Sequence, residues 1–231
     1  MYGLSITKPD GSLWISPGFT PQCLINKGTI PATEKAFFKT SIPSGKSCFF
    51  FIRTEKKADV MYTHEQIDGY HALRLHQIVR GTNPGVTTVY AFANMVTQPS
   101  EYGIAMYNPS GEMIYHGEMM LLDAKLIPVD IKFEKDLGYP CAIMPALVGY
   151  YNWKRTPYDR PIYTTSTGAT GNKIYSCEHY SGGATWDIRK PYIDKVLVIN
   201  SSIYDWRKKN FNSVKRKRSF QTSHPLIQRN T

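Results

Sequence analysis

The feature that most constrains this chain is an opening hairpin written twice, a hundred residues apart. Tyr2-Gly3-Leu4-Ser5-Ile6-Thr7-Lys8-Pro9-Asp10-Gly11-Ser12-Leu13-Trp14-Ile15 returns as Tyr102-Gly103-Ile104-Ala105-Met106-Tyr107-Asn108-Pro109-Ser110-Gly111-Glu112-Met113-Ile114-Tyr115, with Tyr, Gly, Pro and Gly in register. Pro9 and Pro109 preset φ for the second position of a type I turn, in trans. Gly11 and Gly111 supply the left-handed residue that closes the turn into the returning strand. Leu4, Ile6, Leu13 and Ile15 alternate as Ile104, Met106, Met113 and Tyr115 do, the period of two in which every other side chain reaches one face. Gly45-x-x-Cys48 and Gly138-x-x-Cys141 form a weaker echo, each opening an apolar run.

The rest of the chain continues in short strand-like runs. Residues 22–25, 35–40, 47–53, 70–80, 86–94, 119–125, 127–133, 141–154, 160–165, 174–179 and 195–201 are rich in β-branched and aromatic residues. Turn signals separate them, among them Thr167 to Asn172 and Ser181-Gly182-Gly183. The best helical candidate, Trp206 to Asn212, is short. The expectation is an all-β protein of two small β-sandwich-like lobes, residues 1–98 and 99–206, each opening on the repeated hairpin, followed by a basic extension at 207–231.

With 231 residues, 42% of them hydrophobic, the chain has material for such cores. The longest apolar runs, such as Cys48-Phe49-Phe50-Phe51-Ile52, are strand length and far short of the roughly 20 residues of a membrane span. Met1-Tyr2-Gly3 enters a strand with no basic leader or apolar core, so the expected site of synthesis is a cytoplasm. Cys23, Cys48, Cys141 and Cys177 show no Cys-x-x-Cys pair and no His at finger spacing, which argues for reduced, buried thiols and against a zinc site.

The sequence carries no catalytic, cofactor-binding or metal-binding pattern. His71 and His76, five apart on one strand, face opposite ways and cannot share a metal by themselves. Glu65 with Asp68, and Glu112 with Glu118, read as surface carboxylates, since nothing fixes an acid beside a base. There is no nucleophile elbow, phosphate-binding loop or dinucleotide fingerprint. The expectation is a protein that is not an enzyme and carries no cofactor.

Charge is the lopsided property. Eight of the 28 Lys and Arg lie at or after Arg207 with no acidic residue among them, so residues 1–206 carry +2 and the extension +8 of the net +10. Arg207, Lys208, Lys209, Lys215, Arg216, Lys217 and Arg218 are interleaved or followed by Phe211, Phe220, Leu226 and Ile227. Basic charge alone would suit phosphates in a sequence-blind, salt-sensitive way. The apolar residues add nothing to phosphate binding but anchor a segment in a protein groove, so these residues are read as a docking surface for a protein partner rather than for nucleic acid.

The opening Tyr-Gly-Leu-x-Ile-x-x-Pro-Asp-Gly-Ser-Leu, residues 2 to 13, resembles small minor tail proteins of long-tailed, siphovirus-type bacteriophages and their prophages, and Tyr102 to Tyr115 resembles hairpins that recur in them. The resemblance implies a structural virion protein of the tail tip, central fibre or adjacent decoration, holding other tail proteins in several symmetric copies. It brings no catalytic residues. A host-surface adhesin that touches glycan or receptor through Trp153, Tyr158 and Tyr163 is the alternative, and nucleic-acid binding through the basic extension the third reading.

Overall fold

The computed structural model describes residues 6–7, 11, 13–15, 20–79, 81–99, 103–152, 161–184 and 189–205. The chain is all-β. The first part of the chain forms β1 (Ile6–Thr7), β2 (Leu13–Ile15), β3 (Cys23–Ile30), β4 (Phe37–Pro43), β5 (Cys48–Thr54), β6 (Val60–Ile67), β7 (Tyr70–Ile78) and β8 (Thr87–Ala93). The second hairpin is β9 (Ala105–Tyr107) and β10 (Met113–His116). Then follow β11 (Ala124–Pro128), β12 (Glu134–Asp136), β13 (Cys141–Ile143), β14 (Leu147–Asn152), β15 (Pro161–Thr170), β16 (Lys173–Ala184), β17 (Arg189–Pro191) and β18 (Lys195–Asn200). A helical turn at 201–205 follows the last strand.

The two hairpins pair in the same register. Ile6 lies opposite Ile15 and Thr7 opposite Leu13, while Met106 lies opposite Tyr115 and Tyr107 opposite Met113. Gly11 and Gly111 both take φ of 81°, the left-handed region the turn requires. Among the described residues no peptide bond is cis, so Pro109 is trans; Pro9 lies outside them. The weaker echo is not kept in the backbone, since Gly138 has φ of 74° and Gly45 does not enter the left-handed region.

An 11-stranded sheet forms the centre. One arm runs β3-β8-β5-β13-β18-β11, and the other runs β12-β16-β15-β14-β17; they meet where Thr54 of β5 pairs in parallel with Thr170 of β15. The boundary expected at 98/99 is therefore crossed by hydrogen bonds, because the edge of β5 not taken by β8 is closed by β13 and β15. A separate three-stranded sheet, β4-β7-β6, lies against the first arm.

The reason for this layering is in the side-chain parity. Phe50 and Ile52, then Val89, Ala91 and Ala93, then Val196 and Val198 project to one face and meet Ile42, Val60, Leu73 and Leu75 of the three-stranded sheet. The alternate residues Phe51, Tyr90, Phe92, Ala142 and Ile199 project to the other face, where Tyr204, Met120 and Leu122 cover them. Each fully buried Phe or Leu contributes on the order of 1.5–3 kcal/mol, so a strand buried on both faces contributes about twice what a half-exposed one does. Two tyrosines bring polar tips inside and satisfy them. Tyr175 Oη donates to the Ala58 carbonyl at 3.2 Å and accepts from the Ala58 N–H at 3.1 Å, tying the β5–β6 connection to β16. Tyr90 Oη donates to Asp205 Oδ1 at 2.9 Å.

Asp205 closes the outer face. Besides Tyr90, it accepts from Lys27 Nζ and, at 3.1 Å, from Arg53 Nη2, whose Nη1 donates to Ser201 Oγ at 2.6 Å. Partial burial alone would raise the Asp205 carboxyl, but the hydrogen bonds from Lys27 and Tyr90 and the charge of Arg53 outweigh it and hold the group below the usual carboxylate range. A depressed folded-state pKa adds stability that is present above the unfolded value of about 3.9 and lost as pH falls through the folded value. Asp205→Asn is therefore expected to cost about 1–3 kcal/mol near neutral pH. Urea denaturation should show the gap to wild type closing as the solution is acidified; a gap independent of pH would contradict the assignment.

The hairpin turns give a second prediction. Gly111→Val forces a β-branched side chain into a left-handed conformation and should destabilise by roughly 1 kcal/mol or more. Equal urea midpoints for Gly111→Val and wild type would exclude the turn geometry as a constraint.

Candidate functional site

Two places on the molecule collect side chains beyond what packing needs. The first lies on the second arm of the sheet. Tyr151 of β14 is paired with Tyr163 of β15, and Tyr163 with Tyr180 of β16, so their side chains share one face as direct cross-strand neighbours. Tyr151 and Tyr163 stack at 5.8 Å between ring centroids, and Tyr163 meets Tyr180 edge to face at 6.0 Å. The row is anchored at its Tyr151 end. Tyr151 Oη donates to Glu178 Oε2 at 2.8 Å, Lys132 Nζ pairs with Glu178 Oε1 at 3.0 Å, and the same ammonium lies 4.2 Å from the Tyr151 ring centroid. Burial, and then the carboxylate of Glu178, push the Tyr151 phenol well above its ordinary value, so it stays a neutral donor. At the other end Tyr180 is 63% exposed. The row is a stacked pair with a third ring turned edge-on to it, fixed at one end and open at the other.

The second place lies between the two sheets. His64 of β6 and His71 of β7 are diagonal neighbours across a hairpin, since His64 pairs with Leu73 and Gln66 with His71. Both face the inner side of the three-stranded sheet, opposite the start of β5, where Cys48 stands. His64 Nε2 lies 2.8 Å from His71 Nδ1, and His71 Nε2 lies 2.8 Å from the Lys46 carbonyl. Cys48 Sγ and the two imidazoles offer ligand atoms all within 4.8 Å of one another. Phe50 packs edge-on to His64 at 5.0 Å. A cleft of about 90 Å³ adjoins the cluster, with Phe49, Tyr62, Met144 and Pro145 on its walls. Burial pushes the Cys48 thiol up to about 12. Burial, and then repulsion from His71, hold His64 below the ordinary histidine value.

Three of the carboxylates singled out from sequence have structural partners. Arg74 Nε donates to Glu65 at 2.7 Å, Lys39 to Asp68 at 2.7 Å, and Asn108 Nδ2 to Glu112 at 2.8 Å. Ser166 Oγ and His179 Nε2 are 3.0 Å apart, a pair with a nucleophile and a base, but both residues are buried and His179 Nδ1 has no protein partner to orient it. The four cysteines are free thiols, three of them buried.

Of the residues singled out from sequence, Gly11, Pro109 and Gly111 serve hairpin turns. Tyr163 sits at the middle of the tyrosine row, while Trp153 and Tyr158 lie outside the described residues. The docking residues from Arg207 to Ile227 also lie outside them. His71 is buried and His76 exposed, on opposite faces as their spacing requires. The partner of His71 is instead His64, on the neighbouring strand. Short-range Cys and His spacing does not register a cluster built from three strands; the signal that does is Asp68-Gly69, a two-residue turn that places residues 64 and 71 side by side. Among the described residues no helix is long and apolar enough to cross a membrane. No protein-family model, curated protein or solved structure matches the chain.

Proposed function

We propose that the chain is a structural component of a bacteriophage tail and works by binding neighbouring virion proteins. The observation that carries this reading is the row Tyr151-Tyr163-Tyr180, a partly exposed ring surface on a strand scaffold. Tyrosine brings large contact area with little rotamer entropy to lose, so such a row gains more from association than a surface of flexible charged chains. The hairpin resemblance to small tail proteins supplies the class of partner, other tail proteins in symmetric copies. The basic extension, with Phe211, Phe220, Leu226 and Ile227 among its charges, adds a second contact to the same kind of partner.

A host-surface adhesin is the second reading, favoured by the same row, because stacked phenols also accept the apolar faces of sugar rings. In either case buried area and ring stacking supply the affinity, and no bond is made or broken.

Mass spectrometry of gradient-purified particles from cells carrying the gene tests the proposal. The chain is expected in particles at a fixed ratio to the other tail proteins. Tyr163→Ala combined with Tyr180→Ala should reduce incorporation by about tenfold or more while leaving the circular dichroism spectrum unchanged, the size expected when a central aromatic contact is removed. Particles lacking the chain would overturn the virion assignment. A wild-type level of incorporation for the double variant would remove the tyrosine row from the interface.

A further inference from the structure

We propose that Cys48, His64 and His71 bind one zinc-class divalent metal ion between the two sheets. The hydrogen-bond arrangement fixes the donor atoms. A backbone carbonyl only accepts, so the 2.8 Å contact to the Lys46 carbonyl places the His71 proton on Nε2 and leaves Nδ1 with its lone pair directed at His64. This second bond from ligand to carbonyl is the device by which protein imidazoles are oriented toward metals. His64 Nε2 donates its proton to His71 Nδ1 in the metal-free state. When a metal binds, His64 shifts to the tautomer protonated on Nδ1, the Cys48 thiol proton goes to solvent, and three bonds to the ion replace three of its bonds to water with no change in oxidation state.

The distances suit the exchange. Two nitrogens on one tetrahedral zinc, each at about 2.0–2.1 Å, are roughly 3.3 Å apart, and a nitrogen and a thiolate sulfur roughly 3.6 Å apart. The two imidazole nitrogens at 2.8 Å must open by about half an ångström, and Cys48 Sγ, within 4.8 Å, need close by no more than about 1.2 Å. His64 is exposed, so its ring can make the first adjustment without disturbing the core. His71 is buried and held by the Lys46 carbonyl, so it stays as the fixed point. One thiolate and two imidazoles form a borderline-soft set that favours zinc-like ions over magnesium or calcium, which take oxygen ligands. Three protein ligands leave a fourth position for water.

The position explains what such an ion would do. Cys48 belongs to the large sheet and the two histidines to the three-stranded sheet, so the ion would clamp the layers at the end of the shared core. Binding that exists only in the folded state adds directly to stability.

The test uses the full chain, stripped with a chelator and kept reduced by a phosphine, titrated with cobalt(II) and then with zinc(II). One equivalent of cobalt should produce a thiolate-to-cobalt charge-transfer absorption that zinc abolishes. Zinc should raise the melting temperature of wild type. Cys48→Ser should lose the absorption, and His64→Gln should weaken binding by about tenfold or more. His76→Ala, which alters an exposed histidine outside the cluster, should bind as wild type does. His64→Gln changes an exposed side chain, so the test stands even if a variant of buried His71 fails to fold. Absence of the charge-transfer absorption in wild type, its persistence in Cys48→Ser, or its loss in His76→Ala would each overturn the proposal.

Discussion

The structure depends on burying both faces of one sheet. In β8 the pattern Thr87-Thr88-Val89-Tyr90-Ala91-Phe92-Ala93 leaves only Thr88 partly exposed, and β5 beside it carries Phe50, Phe51 and Ile52 toward alternating faces. An antiparallel sheet with one wet face would alternate apolar and polar residues; these strands cannot, so each face needs a cover. The three-stranded sheet β4-β7-β6 covers one and the turn at 201–205, with Tyr204, covers the other. Asp205 fixes that turn by collecting Lys27, Arg53 and Tyr90 from three different strands. A carboxylate in this place is costly to desolvate, and it is tolerated because each lost water contact is replaced by a charged or phenolic donor.

The two chemically distinctive places follow from where this covering ends. Between the layers, the apolar core gives way at the start of β5 to Cys48, with His64 and His71 facing it from the opposite sheet. On the second arm, β14, β15 and β16 carry Tyr151, Tyr163 and Tyr180 on one face, where the rings pack on one another and Tyr180 stays open to solvent. Interior polarity and exterior aromaticity are both departures from the usual distribution, and both occur at the margins of the core.

Local chemistry made the hairpins readable, because Pro-x-Gly dictates a backbone conformation without help from the rest of the chain; Gly11 and Gly111 take the same φ. The apolar run at Cys48 to Ile52 was readable as a strand for the same reason. The strand Val60–Ile67 falls outside the strand-like runs of the sequence, although Asp68, with φ of 49°, and Gly69, with φ of 78°, make the two-residue turn that joins it to β7. Its polar residues Thr63, His64, Glu65 and Gln66 disguise a strand whose apolar contribution is small. Ser181-Gly182-Gly183 reads as a turn from composition, yet these residues continue β16, whose long pairing with β15 overrides local preference. The Cys48 cluster was invisible for a deeper reason: its ligands come from two sheets, and only the pairing of β6 with β7 and the packing of that pair on β5 bring them together.

Hydrogen exchange, read amide by amide on the native protein, tests most directly whether the doubly buried sheet is the centre of the fold. The amides of β5 and β8 should exchange slowest and together, opening only with global unfolding. Slow exchange should continue across the β5–β13 junction into β18. Two separately protected groups, one before and one after residue 98, would contradict a single continuous core.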